Sequence, residues 1–160
     1  MSIQFMLEAW AGKNTEVAMS FLLTGQSERT RTAILNCLQE GCESGEDYRK
    51  LASRIEAIVI CDREKALGIA RNVVGAVLSE SRFLSHLASG VTHKEWVCPA
   101  RPIREIAGHR QAERKYAKRP CPISEPFLVN GVRLRFPGDY MAGHPEECIG
   151  CLCMALGVRK

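Results

Sequence analysis

The chain has 160 residues, of which 46% are hydrophobic and 25% are charged, and its formal net charge at pH 7 is +4. This balance is typical of a globular protein with one domain, or with one domain and an arm. The apolar runs are far shorter than the roughly 20 residues needed to cross a bilayer, which excludes a transmembrane helix. The first residues lack the basic start and apolar stretch of a secretory signal, so we expect a cytosolic protein.

The expected compartment decides how the eight cysteines are interpreted. In a reducing compartment we expect buried thiols or metal ligands rather than a disulfide framework. Cys37, Cys42 and Cys61 lie among helix-forming residues and are interpreted as small hydrophobic side chains. The remaining five lie beyond residue 97, and they are Cys98, Cys121, Cys148, Cys151 and Cys153.

The N-terminal part of the chain has the periodicity of short helices. Apolar side chains recur at helical spacing over residues 15–23 and 30–39, and Gly25 and Gly41 are expected to end these two helices. We therefore treat residues 1–45 as an N-terminal helical arm. Its large hydrophobic side chains either anchor a partner or pack against the chain's own helices, and the candidates are Phe5, Leu7 and Trp10.

Longer helices are predicted over residues 46–89. Ser44 supplies an N-cap oxygen before acidic first-turn residues, and Leu51 and Ile55 share the inward face of the helix that follows. Apolar positions then repeat at helical spacing over residues 63–87, and Gly90 is the type of residue that follows a helix end. These helices form the first part of a second unit, which comprises residues 46–160.

The pattern changes after Gly90, because all seven prolines of the chain lie beyond this point. A segment interrupted by so many prolines cannot form long helices. Residues 127–129 and 132–136 flank Asn130-Gly131, a turn dipeptide in which both positions need positive φ, and this predicts a β-hairpin. The predicted fold class is therefore α+β, with a helical N-terminal half followed by a small loop-rich unit, residues 91–156, that contains the hairpin.

The charge of the chain is concentrated in one segment. Seven basic and two acidic residues between positions 101 and 119 give that segment a net charge of +5, whereas the rest is nearly neutral. The basic residues are Arg101, Arg104, Arg110, Arg114, Lys115, Lys118 and Arg119. This segment favours contact with nucleic acid or an acidic partner surface, and a solvated basic loop is the alternative.

An ordered set of short motifs runs through the second half of the chain. The motifs are Ala70-Arg71, Lys94-Glu95-Trp96, His109, the string Glu125 to Gly131, Pro137-Gly138-Asp139 and Cys151-Leu152-Cys153. Their order and spacing over about residues 50–156 resemble the phage Mu F-like head morphogenesis proteins, which are minor capsid proteins of tailed bacteriophages. By this resemblance, residues 46–160 form a Mu F-like domain.

The sequence also departs from the family's usual pattern. Asn72-Val73 stands where the family usually has Thr-Glu, and Gly150 and Leu152 stand where it usually has Asn and Arg. After the histidine, where the family commonly has Asp-Gly, this chain has Arg110-Gln111. The expected fold survives these changes, but no role that depends on the missing Glu, Asn or Arg carries over.

The shared residues have structural explanations. Trp96 is expected to be buried at the junction of the two halves, and Phe127 is expected to fill core beside the first hairpin strand. Turns account for five more of them, Asn130, Gly131, Pro137, Gly138 and Asp139. None of these residues implies a reaction, and we therefore predict no enzymatic activity.

The resemblance implies a minor head protein that acts in head morphogenesis. Such a protein contacts portal and capsid proteins and lies near packaged double-stranded DNA without reading its sequence. Its expected location is the head interior or portal vicinity of the virion, and the host cytoplasm during assembly, with no membrane contact. The alternative function is a small zinc-stabilised regulatory protein that binds nucleic acid.

The loop-rich unit also contains seven candidate metal ligands, which are Cys98, His109, Cys121, His144, Cys148, Cys151 and Cys153. Cys148 and Cys151 have the spacing of a zinc half-site, but Cys98 and Cys121 are too far apart to form a second knuckle. We predict no required cofactor and keep structural zinc, packed reduced thiols and a disulfide formed on oxidation as alternatives. A cysteine nucleophile beside His109 or His144 is the enzymatic alternative, and no motif supports it.

Overall fold

The computed structural model describes residues 3–59, 63–100 and 104–159, so Cys61 lies outside the described residues. The helices are α1 (Ile3–Trp10), α2 (Lys13–Leu22), α3 (Glu28–Glu43), α4 (Tyr48–Val59), α5 (Arg63–Ala88) and α6 (His109–Lys118). The strands are β1 (His93–Val97), β2 (Cys121–Pro122), β3 (Phe127–Val129), β4 (Val132–Leu134) and β5 (Met154–Val158). The fold is α+β, with the strands confined to the C-terminal half, and the predicted class is confirmed.

The long helix α5 is the centre of the helical half. Helices α1, α2, α3 and α4 all contact it, and Ile69, Val73 and Val77 of α5 are buried at intervals of four residues, as a single helix face requires. The core also contains Met19, Leu23, Ile34, Leu38, Leu51 and Ile55. Segments 3–43 and 48–88 therefore share one hydrophobic core. Trp10 packs against that core, whereas Leu7 is 43% exposed.

The connection between α3 and α4 differs from its prediction. Gly41 does not end a helix, because α3 continues to Glu43 and Gly41 is buried against the side chain of Leu51. Ser44 is not the N-cap of α4 but caps the end of α3, with its hydroxyl donating to the Glu40 carbonyl oxygen at 2.6 Å. The N-cap role belongs to Asp47, whose carboxylate accepts the backbone amides of residues 49 and 50.

The C-terminal half contains a three-stranded antiparallel sheet and the predicted hairpin. The sheet has the order β2-β1-β5, and the central strand β1 pairs with β5 in a register that sets Trp96 opposite Ala155. Strands β3 and β4 form the hairpin, with Asn130 at φ 50° and Gly131 at φ 81° in its turn. The hairpin prediction is confirmed, although β4 ends at Leu134.

Helix α6 was not predicted, because the prolines around it indicated only loops. It is ten residues long and fits between two prolines, with His109, Ala112 and Tyr116 buried at helical spacing. These side chains cover one side of a second core, which contains Trp96, Cys121, Phe127, Val129, Leu134, Phe136 and Ala155. Trp96 and Phe127 are fully buried there, as their motifs predict, with their ring centroids 5.3 Å apart in an edge-to-face arrangement.

The C-terminal half is attached to the helices by packing and by hydrogen bonds. Tyr140 and Cys148 pack against Ala18 of α2 and Ala76 of α5. The Asn14 side chain on α2 donates to the Gly138 carbonyl oxygen at 3.1 Å and accepts the Met141 amide at 3.3 Å. Buried Asp139 accepts from the Arg135 side chain and amide, which fixes the turn after buried Pro137.

Within the described ranges, none of the helices combines the length and apolar composition of a membrane span.

Candidate metal centre

Four of the seven candidate metal ligands meet at one end of the sheet. Cys98 directly follows β1, His109 is the first residue of α6, and Cys151 and Cys153 precede β5. The antiparallel pairing of β1 with β5 brings the two cysteine segments together, and α6 packs against β1. Residues from three separate parts of the sequence therefore form one cluster.

The distances among three residues of this cluster, His109, Cys151 and Cys153, are those of a group that could hold a metal ion. The Sγ atoms of Cys151 and Cys153 each lie 3.6 Å from His109 Nδ1. These three ligand atoms lie within 4.8 Å of one another. Cys98 adjoins them through Cys153, with 3.3 Å between the two sulfur atoms. We call Cys98, His109, Cys151 and Cys153 the metal group.

Two glycines shape the backbone around the metal group. Gly108 precedes α6 with φ 86°, and Gly150 precedes Cys151 with φ 77°, both in the left-handed region that favours glycine. A Cβ atom on Gly108 would also overlap the Asn130 side chain. Only glycine at position 108 therefore allows the hairpin turn to approach the start of α6 so closely.

A second layer of hydrogen bonds orients the His109 ring. His109 Nε2 lies 2.9 Å from Glu147 Oε2, and both side chains are buried. Because a carboxylate only accepts hydrogen bonds, Nε2 donates, and in the neutral imidazole Nδ1 then presents its lone pair to the sulfur atoms. A carboxylate behind a histidine is the usual second shell of a metal-binding histidine.

Asn130 extends this second layer to the hairpin. Its side-chain amide donates to Glu147 Oε1 at 3.0 Å and also to the Ala107 carbonyl oxygen. The Asn130 side chain therefore links the turn to the start of α6 and to the His109 partner, a role beyond the predicted turn chemistry. The Trp96 ring completes the surroundings, with its centroid 5.1 Å from that of the His109 ring in an edge-to-face arrangement.

The electrostatics of the metal group disfavour free thiolates. Burial raises the pKa of Cys98 to about 12, and the hydrogen bond with Cys153 adds to this increase. The pKa of Cys153 is raised by its hydrogen bond with Cys151 and by burial. Burial lowers the pKa of His109, but its hydrogen bonds to Cys153 and Glu147 outweigh burial and leave the pKa above its ordinary value. A bound cation would reverse this preference by stabilising the thiolates.

The other three candidate ligands lie outside the metal group. Cys148 is buried against Tyr140, so Cys148 and Cys151 do not act together as a half-site. Cys121 is buried in the second core, with its sulfur 3.5 Å from the Glu125 carbonyl oxygen. His144 is about half exposed and pairs with Glu146 at 2.8 Å.

The basic segment divides into two sets in the structure. Arg104 donates to the Ile149 carbonyl oxygen at 3.0 Å, and Arg110 donates to the Pro99 carbonyl oxygen and to Glu113. Arg101 lies outside the described residues. The other four residues are exposed along one side of α6 and its end, and this basic face comprises Arg114, Lys115, Lys118 and Arg119.

The sequence predictions did not include roles for two buried charged residues of the C-terminal half, Glu147 and Lys94. Glu147 had no motif signal, because nothing in its neighbourhood distinguishes it from the adjacent Glu146. Lys94 was noted only as part of a motif, yet its side chain is fully buried and donates to the Arg135 carbonyl oxygen at 2.6 Å. Burial lowers the pKa of Lys94 to about 8, and the rings of Phe83 and Phe127 lie within 5.0 Å of its ammonium group.

Comparisons of this chain with known protein families, with curated proteins and with solved structures find no match. The resemblance to the Mu F-like proteins therefore stays a prediction from short motifs.

Proposed function

We propose that this chain is a non-enzymatic minor head protein of a tailed bacteriophage that acts in head assembly. One observation carries this proposal: most of the motifs behind the resemblance meet in space around the metal group. Six residues of these motifs come from separate parts of the sequence, yet each contacts another of the six or Glu147. They are Trp96, His109, Phe127, Asn130, Cys151 and Cys153. An ordered set of motifs that forms one compact unit is expected if the unit is inherited as a whole.

We further propose that the metal group binds zinc in a structural role. In a tetrahedral site with bond lengths of about 2.3 Å to sulfur and 2.1 Å to nitrogen, the two ligand atoms are about 3.6 Å apart. Both Cys–His distances in the metal group equal this value. Three thiolates and one imidazole are also a ligand set typical of structural zinc. The ion would join the ends of β1, α6 and β5 to one another.

The same geometry supports a structural role over a catalytic one. A cysteine nucleophile requires a lowered pKa, and its histidine partner must be free to exchange protons with a substrate. Here the pKa values of Cys98 and Cys153 are raised, and two thiols share the same His109 nitrogen. This arrangement favours ligands that are deprotonated by a metal ion.

The basic face of α6 supports contact with packaged DNA. Arg114 and Lys118 are separated by four positions, so their side chains lie along one strip of the α6 surface, with Lys115 beside it and Arg119 just past the helix end. Such a strip can neutralise phosphates without contacting base edges. Helix α6 also carries His109 at its other end, so the proposed zinc would hold the DNA-contacting helix in place.

Metal analysis of the purified full chain tests the zinc proposal. We expect about one equivalent of zinc, and we expect its loss in Cys153→Ser because that variant removes a ligand. The matched control is His144→Ala, which removes a histidine outside the metal group and should keep the zinc. Less than about a tenth of an equivalent in the wild-type chain would overturn the zinc proposal.

Sedimentation with procapsids tests the assembly proposal. The chain is mixed or coexpressed with portal and capsid proteins encoded by neighbouring genes, and we expect it in the procapsid fraction. Genes for a terminase and a portal beside this one would agree with the proposal. Absence from particles, together with sequence-specific DNA binding, would favour the zinc-stabilised regulatory protein instead.

Gel-shift measurements on duplex DNA test the role of the basic face. We expect binding that is independent of sequence and weakens steeply between about 50 and 200 mM salt. The double variant Arg114→Glu/Lys118→Glu should lose most of this binding. The control variant Arg29→Glu/Lys50→Glu reverses exposed charges on α3 and α4 and should bind as the wild type does. Equal binding by both variants would remove DNA contact by α6 from the proposal.

A further inference from the structure

Cys98 and Cys153 face each other just beyond the paired ends of β1 and β5. The last residue pair of the β1–β5 register is Val97 with Met154, so the next residues outward on the two strands are Cys98 and Cys153. Their sulfur atoms are 3.3 Å apart. A disulfide needs a separation of about 2.05 Å and suits the Cα spacing of neighbouring antiparallel strands. A small movement of two side chains is therefore enough to join them.

We propose that the metal group is a redox switch in which oxidation joins Cys98 to Cys153 and releases the zinc ion. This inference rests on the zinc proposed above. Joining the two cysteines removes two of the four ligands and leaves only His109 and Cys151. Two ligands do not complete the tetrahedral set of a structural zinc site, so the ion dissociates.

A peroxide is the oxidant class that suits this step. One thiolate attacks a peroxide oxygen, breaks the O–O bond, and becomes a sulfenic acid with release of hydroxide. The second thiolate attacks that sulfur, forms the S–S bond and expels a second hydroxide. Two electrons pass from the two sulfur atoms to the peroxide oxygens, and the two hydroxides take up protons to give water. The zinc ion leaves as Zn²⁺ without a change in oxidation state.

The position of the pair makes it accessible to a small oxidant. Both cysteines are only partly buried, and they line a shallow surface depression together with His109 and Ile106. Cys37, by contrast, is buried in the core of the helical half. Oxidation at the metal group is therefore expected before oxidation at Cys37.

The disulfide would replace the zinc ion as the link between the ends of β1 and β5, and the sheet itself would stay intact. The two residues are separated by 55 positions in the sequence, so the disulfide closes a long loop around α6 and the hairpin. Closure of a long loop restricts the unfolded chain, and the sheet therefore stays attached after the metal has left. His109 and helix α6 lose their connection to β5, because no metal ion then joins them.

Peroxide treatment of the purified full chain tests this inference. Zinc content is measured first, zinc release is then followed with a colorimetric chelator, and the disulfide is located by mass spectrometry of non-reduced peptides. We expect release of the bound zinc together with a single Cys98–Cys153 disulfide, and we expect a thiol reductant plus zinc to restore the starting state. The control Cys37→Ser should behave as the wild type does.

The outcomes separate this inference from the zinc proposal. A chain without zinc before oxidation overturns both. A chain that contains zinc but keeps it under peroxide, or that forms its disulfide between Cys151 and Cys153, overturns the switch and leaves the zinc site standing. Cys98→Ser also removes a zinc ligand and is not expected to hold zinc, so it serves only to check the assignment of the Cys98–Cys153 peptide by mass spectrometry.

Discussion

The side-chain oxygen of Asn72 on α5 accepts a hydrogen bond of 2.7 Å from the backbone amide of Gly150. The Asn72 amide group donates to the Gly68 carbonyl oxygen at 2.7 Å, which fixes the orientation of the side chain. Both positions differ from the residues usual in the Mu F-like proteins that the chain resembles, and these two residues are direct partners. Because Gly150 precedes Cys151, this bond also positions the backbone of the metal group.

Asn72→Ala is expected to lower the free energy of unfolding by about 1–2 kcal/mol, because it leaves the Gly150 amide without its acceptor. The control is Asn36→Ala, at an exposed position on α3, and it should change stability by less than about 0.5 kcal/mol. Urea unfolding followed by circular dichroism measures both. Equal effects of the two substitutions would mean that the Asn72–Gly150 bond adds no stability.

Glu147→Gln is expected to weaken zinc binding by about ten- to a hundredfold, because a neutral amide holds and polarises the His109 ring less well than a carboxylate. Glu146→Gln is the matched control, since this neighbouring carboxylate is exposed and pairs with His144, which lies outside the metal group. Competition against a zinc chelator of known affinity gives both values. If the two variants bind zinc equally well, Glu147 does not act on the metal through His109.

Gly41→Ala and Gly68→Ala should have opposite effects on stability. A Cβ atom at position 41 would overlap the buried side chain of Leu51, so we expect a loss of about 1–3 kcal/mol. A Cβ atom at position 68 meets no neighbouring atom and lies within helix α5, so we expect a gain of about 0.5–1 kcal/mol. Thermal or urea unfolding measures both changes, and a stabilising Gly41→Ala would contradict the close packing of α3 on α4.

Glu80→Gln is expected to change the pH dependence of stability. Burial raises the pKa of Glu80 from 4.5 to about 7, and one carboxylate oxygen is buried beside Gly12. The folded state therefore binds this proton more tightly than the unfolded state. The free energy of unfolding should fall as pH rises from about 4.5 to about 7, by about 1–2 kcal/mol after solvent screening.

In Glu80→Gln this part of the pH dependence should disappear, because glutamine does not titrate. Urea unfolding of both proteins at a series of pH values across this window provides the measurement. Parallel curves for the two proteins would show that Glu80 does not titrate differently in the folded and unfolded states.

The features that depend on local sequence were predictable. The turn at Asn130-Gly131 follows from two residues that tolerate positive φ, and helix α5 follows from apolar spacing and the glycine after it. No local sequence pattern of this kind predicts the three-stranded sheet. Strand β1 pairs with segments far along the chain and buries Lys94 on its inner face, so its pattern is not that of an amphipathic strand.

The metal group, too, was predictable from the sequence only in part. Sequence supplied seven candidate ligands, but the choice of four depends on the pairing of β1 with β5 and on α6, neither of which was predicted. Helix α6 did carry a signal, because His109, Ala112 and Tyr116 have helical spacing, and the flanking prolines outweighed it. Glu147 could not have been distinguished from Glu146, since only tertiary contacts give them different roles.

The central position of β1 has a consequence for the order of events during translation. Its neighbours β2 and β5 are both made later, and β5 follows only after more than fifty further residues. A nascent chain that has reached the hairpin therefore carries a strand with one open edge and an incomplete set of cysteine ligands. The helical half has a core made only of residues that precede the sheet, so it can fold on the ribosome first and serve as the surface on which the sheet is finished.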